Sequence, residues 1–248
     1  MEQTYIRGVR LNGLPPAGSY LHGLPVVRSL AAMGTLPLTG PVTFLVGENG
    51  TGKSTLLEAI AVAAGFNAEG GSRNFQFSTA HTESELYQYL TLIKGGYPRD
   101  GYFLRAESFY NAASYLDELE QTPGCGGVLD SYGGVSLHRQ SHGESFLSLI
   151  TNRFGGEGLY LLDEPEAALS PSRQLSLLVA LHELTARHSQ FLIATHSPIL
   201  MAYPGAEVLE LSEAGIRSVD YRETEHYRLT RRFLEDPERM LRYLLEEE

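Results

Sequence analysis

The chain has 248 residues, of which 42% are hydrophobic and 20% charged. That is enough apolar material to build a packed α/β core, and it excludes disorder as the global state. Acidic residues outnumber basic ones 30 to 19, giving a net charge of −11, which counts against a protein that coats nucleic acid unaided, since such proteins present a strong basic field.

Residues 1 to 40 alternate apolar and polar groups between turn signals at Asn12-Gly13, Pro15-Pro16 and Gly40-Pro41, and read as β-rich. Val42 to Val46 is a short β-branched apolar run, expected to be a buried strand, and Ser54 to Ala64, rich in Ala and Leu without Gly or Pro, is expected to be a helix. Tyr102 to Arg105 follows as a strand and Glu107 to Leu119 as a helix. Residues 123 to 136 form a glycine-rich loop, and Glu144 to Phe154 a helix. Leu159 to Leu162 is a strand, Ser172 to Arg187 a helix and Phe191 to Ala194 a strand. Val208 to Leu211 and Ile216 to Val219 flank Glu213-Ala214-Gly215 and suggest a hairpin; from Thr230 onward the pattern is helical, restarting at Asp236-Pro237. Short strands alternating with helices imply a mostly parallel sheet covered on both faces.

The strongest chemical signal is Gly47-Glu48-Asn49-Gly50-Thr51-Gly52-Lys53-Ser54, a complete G-x-x-x-x-G-K-[ST] pattern lying between an expected strand and an expected helix. Glycines let successive backbone N–H groups converge on one anion, and the helix start adds partial positive charge. Gly47, Asn49, Gly50, Thr51, Gly52, Lys53, Ser54 and Thr55 are therefore the candidate nucleotide-binding residues. Lys53 supplies a point charge for the β- and γ-phosphates and the Ser54 hydroxyl a ligand for Mg²⁺. A second element, Leu159-Tyr160-Leu161-Leu162-Asp163-Glu164, is an apolar strand ending in two carboxylates, at the sheet edge where ligands of open α/β sheets bind. Asp163 suits a Mg²⁺ contact; Glu164, pointing differently, suits polarising a water for attack on a γ-phosphate. His196 follows another apolar strand at the same edge, where an imidazole can hydrogen-bond a γ-phosphate; a lone histidine at a strand end is otherwise a surface or capping residue.

With these residues in hand, the sequence resembles the ABC-type ATPases over most of its length. Ser141-His142-Gly143-Glu144-Ser145 stands where that superfamily carries its LSGGQ-type signature, Ala167-Ala168-Leu169-Ser170 resembles the D-loop, and His196 resembles the switch histidine. The run Asp163-Glu164-Pro165-Glu166-Ala167-Ala168-Leu169-Ser170-Pro171 resembles the small stand-alone predicted ATPases of the SMC/RecF/OLD-like branch. Transporter cassettes usually carry aspartate at the position of Ser170. Two departures stand out: His142 replaces a glycine and Glu144 a glutamine. His142 reads equally as a structural filler or as a second phosphate contact. Glu144 is compatible with a nearby phosphate only if it faces away or caps its own helix. Ser141 and Gly143 retain the hydroxyl and unhindered N–H that an anion needs at a helix N-terminus. Glu107 is the best-placed candidate for the lid residue that helps hold the metal, with Gln76 a weaker one.

The resemblance implies a fold: an ABC-type P-loop NTPase with a β-rich N-terminal segment, a mostly parallel central sheet flanked by helices, and a small helical subdomain. It implies one domain over residues 1–248. Residues 1–106 would hold the β segment and phosphate-loop core, 107–155 the helical subdomain with the signature, and 156–248 the second half of the core, the hairpin and the C-terminal helices. It implies ATP and Mg²⁺ as cofactors, an ATP-dependent homodimer with Ser141 and Gly143 of one copy closing on the γ-phosphate held by Lys53 of the other, and hydrolysis by Glu164 and His196. A DNA-related or defence role with a separately encoded effector is the leading expectation. An ATP-binding subunit of a membrane transporter and a low-turnover ATP-gated scaffold are the alternatives. The absence of an Asn-Lys-x-Asp motif argues against a GTPase.

Tyr5, Arg10, Tyr20 and Arg28 are of a type to stack on a base, yet each reads first as a sheet-surface residue. The C-terminal segment mixes Arg222, Arg228, Arg231, Arg232, Arg239 and Arg242 with acids, the mark of a solvated helix face, with a phosphate-backbone footprint as the lesser reading. Leu229, Phe233, Leu241, Leu244 and Leu245 are expected to face the core, or else to form a dimer or partner surface. The lone cysteine, Cys125, excludes an intrachain disulfide and fits a reducing compartment. Apolar runs such as Ala59 to Phe66 fall short of the roughly 20 residues that span a bilayer, and the first residues lack a signal-peptide apolar region. The expectation is a cytoplasmic protein without direct membrane insertion.

Overall fold

The computed structural model describes residues 4–73, 84–106, 109–121, 127, 129–132, 134, 136, 138 and 141–245. Glu107 and Gln76 lie outside the described residues, and of His142 only the backbone is described. In chain order the elements are β1 (Ile6–Leu11), α1 (Tyr20–Gly23), α2 (Pro25–Met33), β2 (Thr35–Pro37), β3 (Val42–Val46), α3 (Lys53–Ala63), β4 (Gly71–Ser72), β5 (Leu90–Lys94), β6 (Asp100–Arg105), α4 (Phe109–Gln121), α5 (His142–Arg153), β7 (Gly158–Asp163), α6 (Pro171–Ala186), β8 (Gln190–Ala194), α7 (Pro198–Met201), β9 (Glu207–Ser212), β10 (Gly215–Ser218), α8 (Glu225–Glu235) and α9 (Pro237–Leu245).

Seven strands form the main sheet in the order β10-β9-β3-β8-β7-β6-β4. The five inner strands run parallel, and the edge strands β10 and β4 pair antiparallel. The inner strands are apolar almost throughout because both sheet faces are covered. Successive side chains go to opposite faces. Phe44, Tyr160, Leu162, Phe191 and Ile193 pack with α4, α5 and α6 through residues such as Leu116, Phe146 and Leu177. Leu45, Leu159, Leu161 and Leu192 pack on the other face with α2 and α3 through Val26, Leu30, Leu56 and Ile60. Among the described residues no helix is long and apolar enough to cross a membrane.

A smaller antiparallel sheet, in the order β2-β1-β5, lies beside the main one. One buried side chain joins them: Gln190, the first residue of β8, accepts from the N–H groups of Tyr5 and Ile6 through Oε1, both at 2.8 Å, and donates from Nε2 to the Ile6 carbonyl at 2.8 Å. Tyr5 is accordingly a core residue, its hydroxyl donating to the His188 carbonyl.

Two expectations change. The N-terminal segment carries helices as well as strands: Ser19 caps α1 through its hydroxyl, Pro25 begins α2 where a missing N–H costs nothing, and Val26, Val27 and Leu30 make the buried face of α2. The apolar face of α8 and α9 is not core: Leu229, Phe233, Leu241, Leu244 and Leu245 are all exposed, with α8 packed against α7 and α9.

Replacing Gln190 by leucine removes these three hydrogen bonds between the sheets. It is expected to lower stability by about 2–4 kcal/mol, the cost of leaving buried backbone groups unsatisfied, read as a fall in the chemical-denaturation midpoint.

Candidate functional site

Parallel pairing sets Leu45 of β3 beside Ala194 of β8, and Ala194 beside Asp163 of β7. The strands therefore end level, and the residues that follow them emerge along one edge. After β3 comes the glycine-rich loop. Gly47 has φ of 136°, and a Cβ there would lie 2.1 Å from the Leu211 carbonyl oxygen, so no other residue fits. Gly52, in the left-handed region at φ 96°, caps α3 and sits against Val26. Lys53, Ser54 and Thr55 thus form the first turn of α3, whose N–H groups precede the first helical bond, Leu56 N–H to the Gly52 carbonyl at 2.9 Å. Glu48, Asn49 and Gly50 are exposed at the loop's outer bend, and Thr51 is pinned through its hydroxyl to the Glu48 carbonyl at 2.9 Å. The Lys53 ammonium is buried and donates to the carbonyl oxygens of Gly47 at 2.8 Å and Glu48 at 3.0 Å. Burial lowers its pKa, against the opposing pull of the Glu164, Asp163, Glu48 and Glu166 carboxylates.

After β7 the chain turns sharply. Glu164 is held in the left-handed region, φ 49° and ψ 53°, followed by Pro165, and its N–H donates to the Ala194 carbonyl at 3.0 Å. A bulky residue in that conformation is strained; here the strain aims the carboxylate along the edge. Glu164 Oε1 lies 3.6 Å from His196 Nε2. His196 is held from beneath by Glu166, which accepts from the His196 N–H at 2.5 Å and from the Thr195 hydroxyl at 2.8 Å. Burial raises the Glu166 pKa, opposed by those two donors. On its other side the His196 Nδ1 is 2.8 Å from Nε2 of His226, at the start of α8. Burial lowers the His196 pKa, with the Lys53 and His226 charges acting in the same direction and the Glu164 and Glu48 charges against it.

Ser54, Arg105, Asp163, Glu164 and Ala168 line a pocket of about 210 Å³ beside the phosphate loop. Arg105, level with Asp163 on β6, sits with Nε 3.6 Å from Asp163 Oδ2 while its Nη1 donates to Glu58 Oε2 at 2.7 Å. Among the described residues no cluster of three or more His, Cys, Asp or Glu side chains forms a metal cage. A hydroxyl and one carboxylate next to a phosphate loop is nonetheless a donor set that fits Mg²⁺, which takes few protein ligands and completes its shell with phosphate oxygens and water.

Ser141 is the N-cap of α5. Its hydroxyl has partners in its own chain: it donates to Glu144 Oε2 at 2.6 Å, the Ser141 N–H donates to the same oxygen at 3.0 Å, and Arg173 Nη1 donates to the Ser141 hydroxyl at 3.2 Å. Glu144 therefore caps its own helix, and these Ser141 donors hold its carboxyl below the usual carboxylate range. Gly143 is tightly covered, since a Cβ there would lie 2.5 Å from Arg173 Nη1 and 2.9 Å from the Ala168 carbonyl.

A cleft of about 1050 Å³ opens between the loop residues 47–51, the β9–β10 hairpin and α8, whose His226, Arg228 and Arg232 form one wall. The site thus gathers Lys53, Ser54, Asp163, Glu164 and His196 on one edge. Glu166, Arg105, Glu58 and His226 are additions that sequence reasoning did not assign. Glu166 stands in a motif already singled out and signals itself as a third acid, directly after the proline; His226 has no local signal, being 30 residues from its partner.

Comparison with known proteins agrees with this layout. Residues 27–106 match a family model described as "AAA domain". Residues 130–202 match one described as "AAA domain, putative AbiEii toxin, Type IV TA system". No curated protein matches the chain. Among solved structures, CbiO1 from Clostridium perfringens, part of the ABC transporter complex CbiONQ, is 16% identical with a TM-score of 0.52, covering 98% of this chain and 100% of that one. A metal-chelate-type ABC transporter captured in an inward-facing conformation is 16% identical with a TM-score of 0.50, covering 92% of this chain and 88% of that one. At this identity the likeness is one of fold.

Gly47→Ala forces a side chain into the Leu211 carbonyl and is expected to cost about 1–3 kcal/mol of stability, the scale of a strained backbone position. Thermal melting with and without nucleotide checks it, the ligand-induced rise in Tm being lost as well.

Proposed function

We propose that the chain is an ABC-type P-loop ATPase that binds and hydrolyses ATP with Mg²⁺, two copies sandwiching the nucleotide as a conformational switch. The observation that carries this reading is the gathering of Lys53, Ser54, Asp163, Glu164 and His196 along one sheet edge. The N–H groups of Gly50, Gly52 and the first turn of α3 cradle the phosphates, and Lys53, exchanging its two carbonyl partners for anionic oxygens, neutralises the β- and γ-groups. Mg²⁺, held by the Ser54 hydroxyl and the Asp163 carboxylate, supplies charge neutralisation on the phosphates. Glu164 orients a water and takes its proton as that water attacks the γ-phosphorus; ADP and phosphate leave. His196 donates a hydrogen bond to the γ-phosphate.

Closure in trans rests on Ser141 and Gly143. Their helix N-terminus is locked in cis by Glu144 and Arg173, and a γ-phosphate from a second copy replaces the Glu144 carboxylate as the anion there. Because that contact exists only in the closed state, ATP shifts the population toward it, and hydrolysis reverses the shift. The Asp163 to Pro171 run supports the SMC/RecF/OLD-like branch. The toxin–antitoxin description of the second matching model supports a defence role with a separately encoded partner. The likeness to transporter subunits is in fold alone and does not favour a cassette role.

Glu164→Gln should bind MgATP and hydrolyse it at least ~100-fold more slowly, the scale of a lost general base. Single-turnover kinetics read the loss, and light scattering should show this variant moving from monomer to dimer on adding ATP. Lys53→Ala and Ser141→Arg should each be inactive alone and recover partial activity when mixed, since one composite site then has an intact lysine facing an intact serine. A mixture as inactive as its components, with each variant folded, refutes the sandwich.

A further inference from the structure

His226 is held in place by the start of α8. Thr224, completely buried, caps the helix by accepting from the Tyr227 N–H at 3.3 Å and donates to the Tyr221 carbonyl at 2.6 Å. This sets the imidazole of His226 against that of His196, with ring centroids 4.8 Å apart and Nε2 to Nδ1 at 2.8 Å.

Two neutral imidazoles share one hydrogen bond in either of two ways, since each ring has one donor nitrogen and one acceptor. If His196 donated from Nδ1, its Nε2 would present a lone pair to Glu164, whose ionised carboxylate only accepts. If His226 donates, His196 accepts at Nδ1 and carries its proton on Nε2, facing the Glu164 Oε1 at 3.6 Å. The second arrangement places a donor where a carboxylate and, on the reading above, a γ-phosphate oxygen need one. The first places two acceptors face to face. Burial lowers the His196 pKa and the Lys53 charge acts in the same direction, both favouring the neutral ring, for which the choice of tautomer matters.

We infer that His226 is a positioning residue for His196: its Nε2–H, donated to Nδ1, fixes the switch histidine in the tautomer that donates from Nε2. It touches no reacting atom itself. It also ties that tautomer to the docking of α8, so the C-terminal helices and the nucleotide edge are held as one unit. The inference rests on the ATPase reading only for its consequence in turnover. The tautomer is a property of the nucleotide-free protein.

Long-range proton–nitrogen correlation spectra of the protein labelled with ¹⁵N-histidine, at a pH where both rings are neutral, read the tautomer directly. The expected result is a His196 with an unprotonated Nδ1 and a protonated Nε2. In His226→Leu that preference should be lost, and kcat should fall about 10-fold or more with the KM for ATP nearly unchanged, as for an interaction used in the transition state. His226→Gln, whose amide NH₂ donates from nearly the same place, should restore both the tautomer and kcat to within about threefold. A wild-type His196 protonated on Nδ1, or a His226→Leu protein with undiminished kcat, overturns the inference. Loss of the ATPase reading itself registers separately, as normal ATP affinity in Lys53→Ala, and leaves the spectra interpretable.

Discussion

The alignment of β3, β8 and β7 is the constraint on which the site depends. Parallel pairing puts Leu45, Ala194 and Asp163 on one level, so three chain reversals have to happen side by side. Each reversal is then forced into an unusual conformation by its neighbours. Gly47 passes under the Leu211 carbonyl with no room for a side chain, and Glu164 turns through the left-handed region because its N–H is taken by Ala194 and proline follows. A one-residue slip would turn every side chain of the slipped strand to the opposite face, and both faces here are filled, by α4 to α6 on one side and α2 with α3 on the other. The register is therefore set by the core, and the functional geometry inherits it.

Beneath the edge runs a layer of polar contacts that gives the reversals stiffness. Glu166 ties the turn after β7 to the turn after β8 through Thr195 and His196. Gln174 of α6 accepts from the Ser197 hydroxyl at 2.5 Å and donates to the Leu169 carbonyl at 3.1 Å, joining the same two turns from the helix side. On the opposite flank Glu58, Arg105 and Asp163 chain α3 to β6 and β7. These ties link the three reversals to one another and to α3 and α6.

Much of the edge was legible in the sequence because its signals are local. A glycine-rich loop between an apolar run and a helix, an apolar run ending in two acids, and a histidine ending another run each occupy fewer than a dozen residues. What sequence missed is what depends on partners far away. Tyr20 to Met33 read as β-rich because it lies between turn signals and its short helical face becomes apparent only where Val26, Val27 and Leu30 meet the core. The leucines of α8 and α9 have a strong helical period, yet periodicity says only that a face is apolar and not that anything covers it; in the structure they are exposed. Ser141 showed its helix N-terminus, while the Arg173 that braces it lies 32 residues on and carries no sign of that role.

The central position of β3 also has a consequence for how the protein is made. Its five buried residues lie between β8 and β9, which follow about 150 residues later in synthesis, a wait of roughly 7–30 s at ribosomal elongation rates of 5–20 residues per second. Until then Val42-Thr43-Phe44-Leu45-Val46 has both its pairing edges open, although it carries the phosphate loop, and the small sheet waits as long for Gln190. The nascent chain thus holds an aggregation-prone segment early and completes the edge that carries the phosphate loop only after β8 and β9 have emerged.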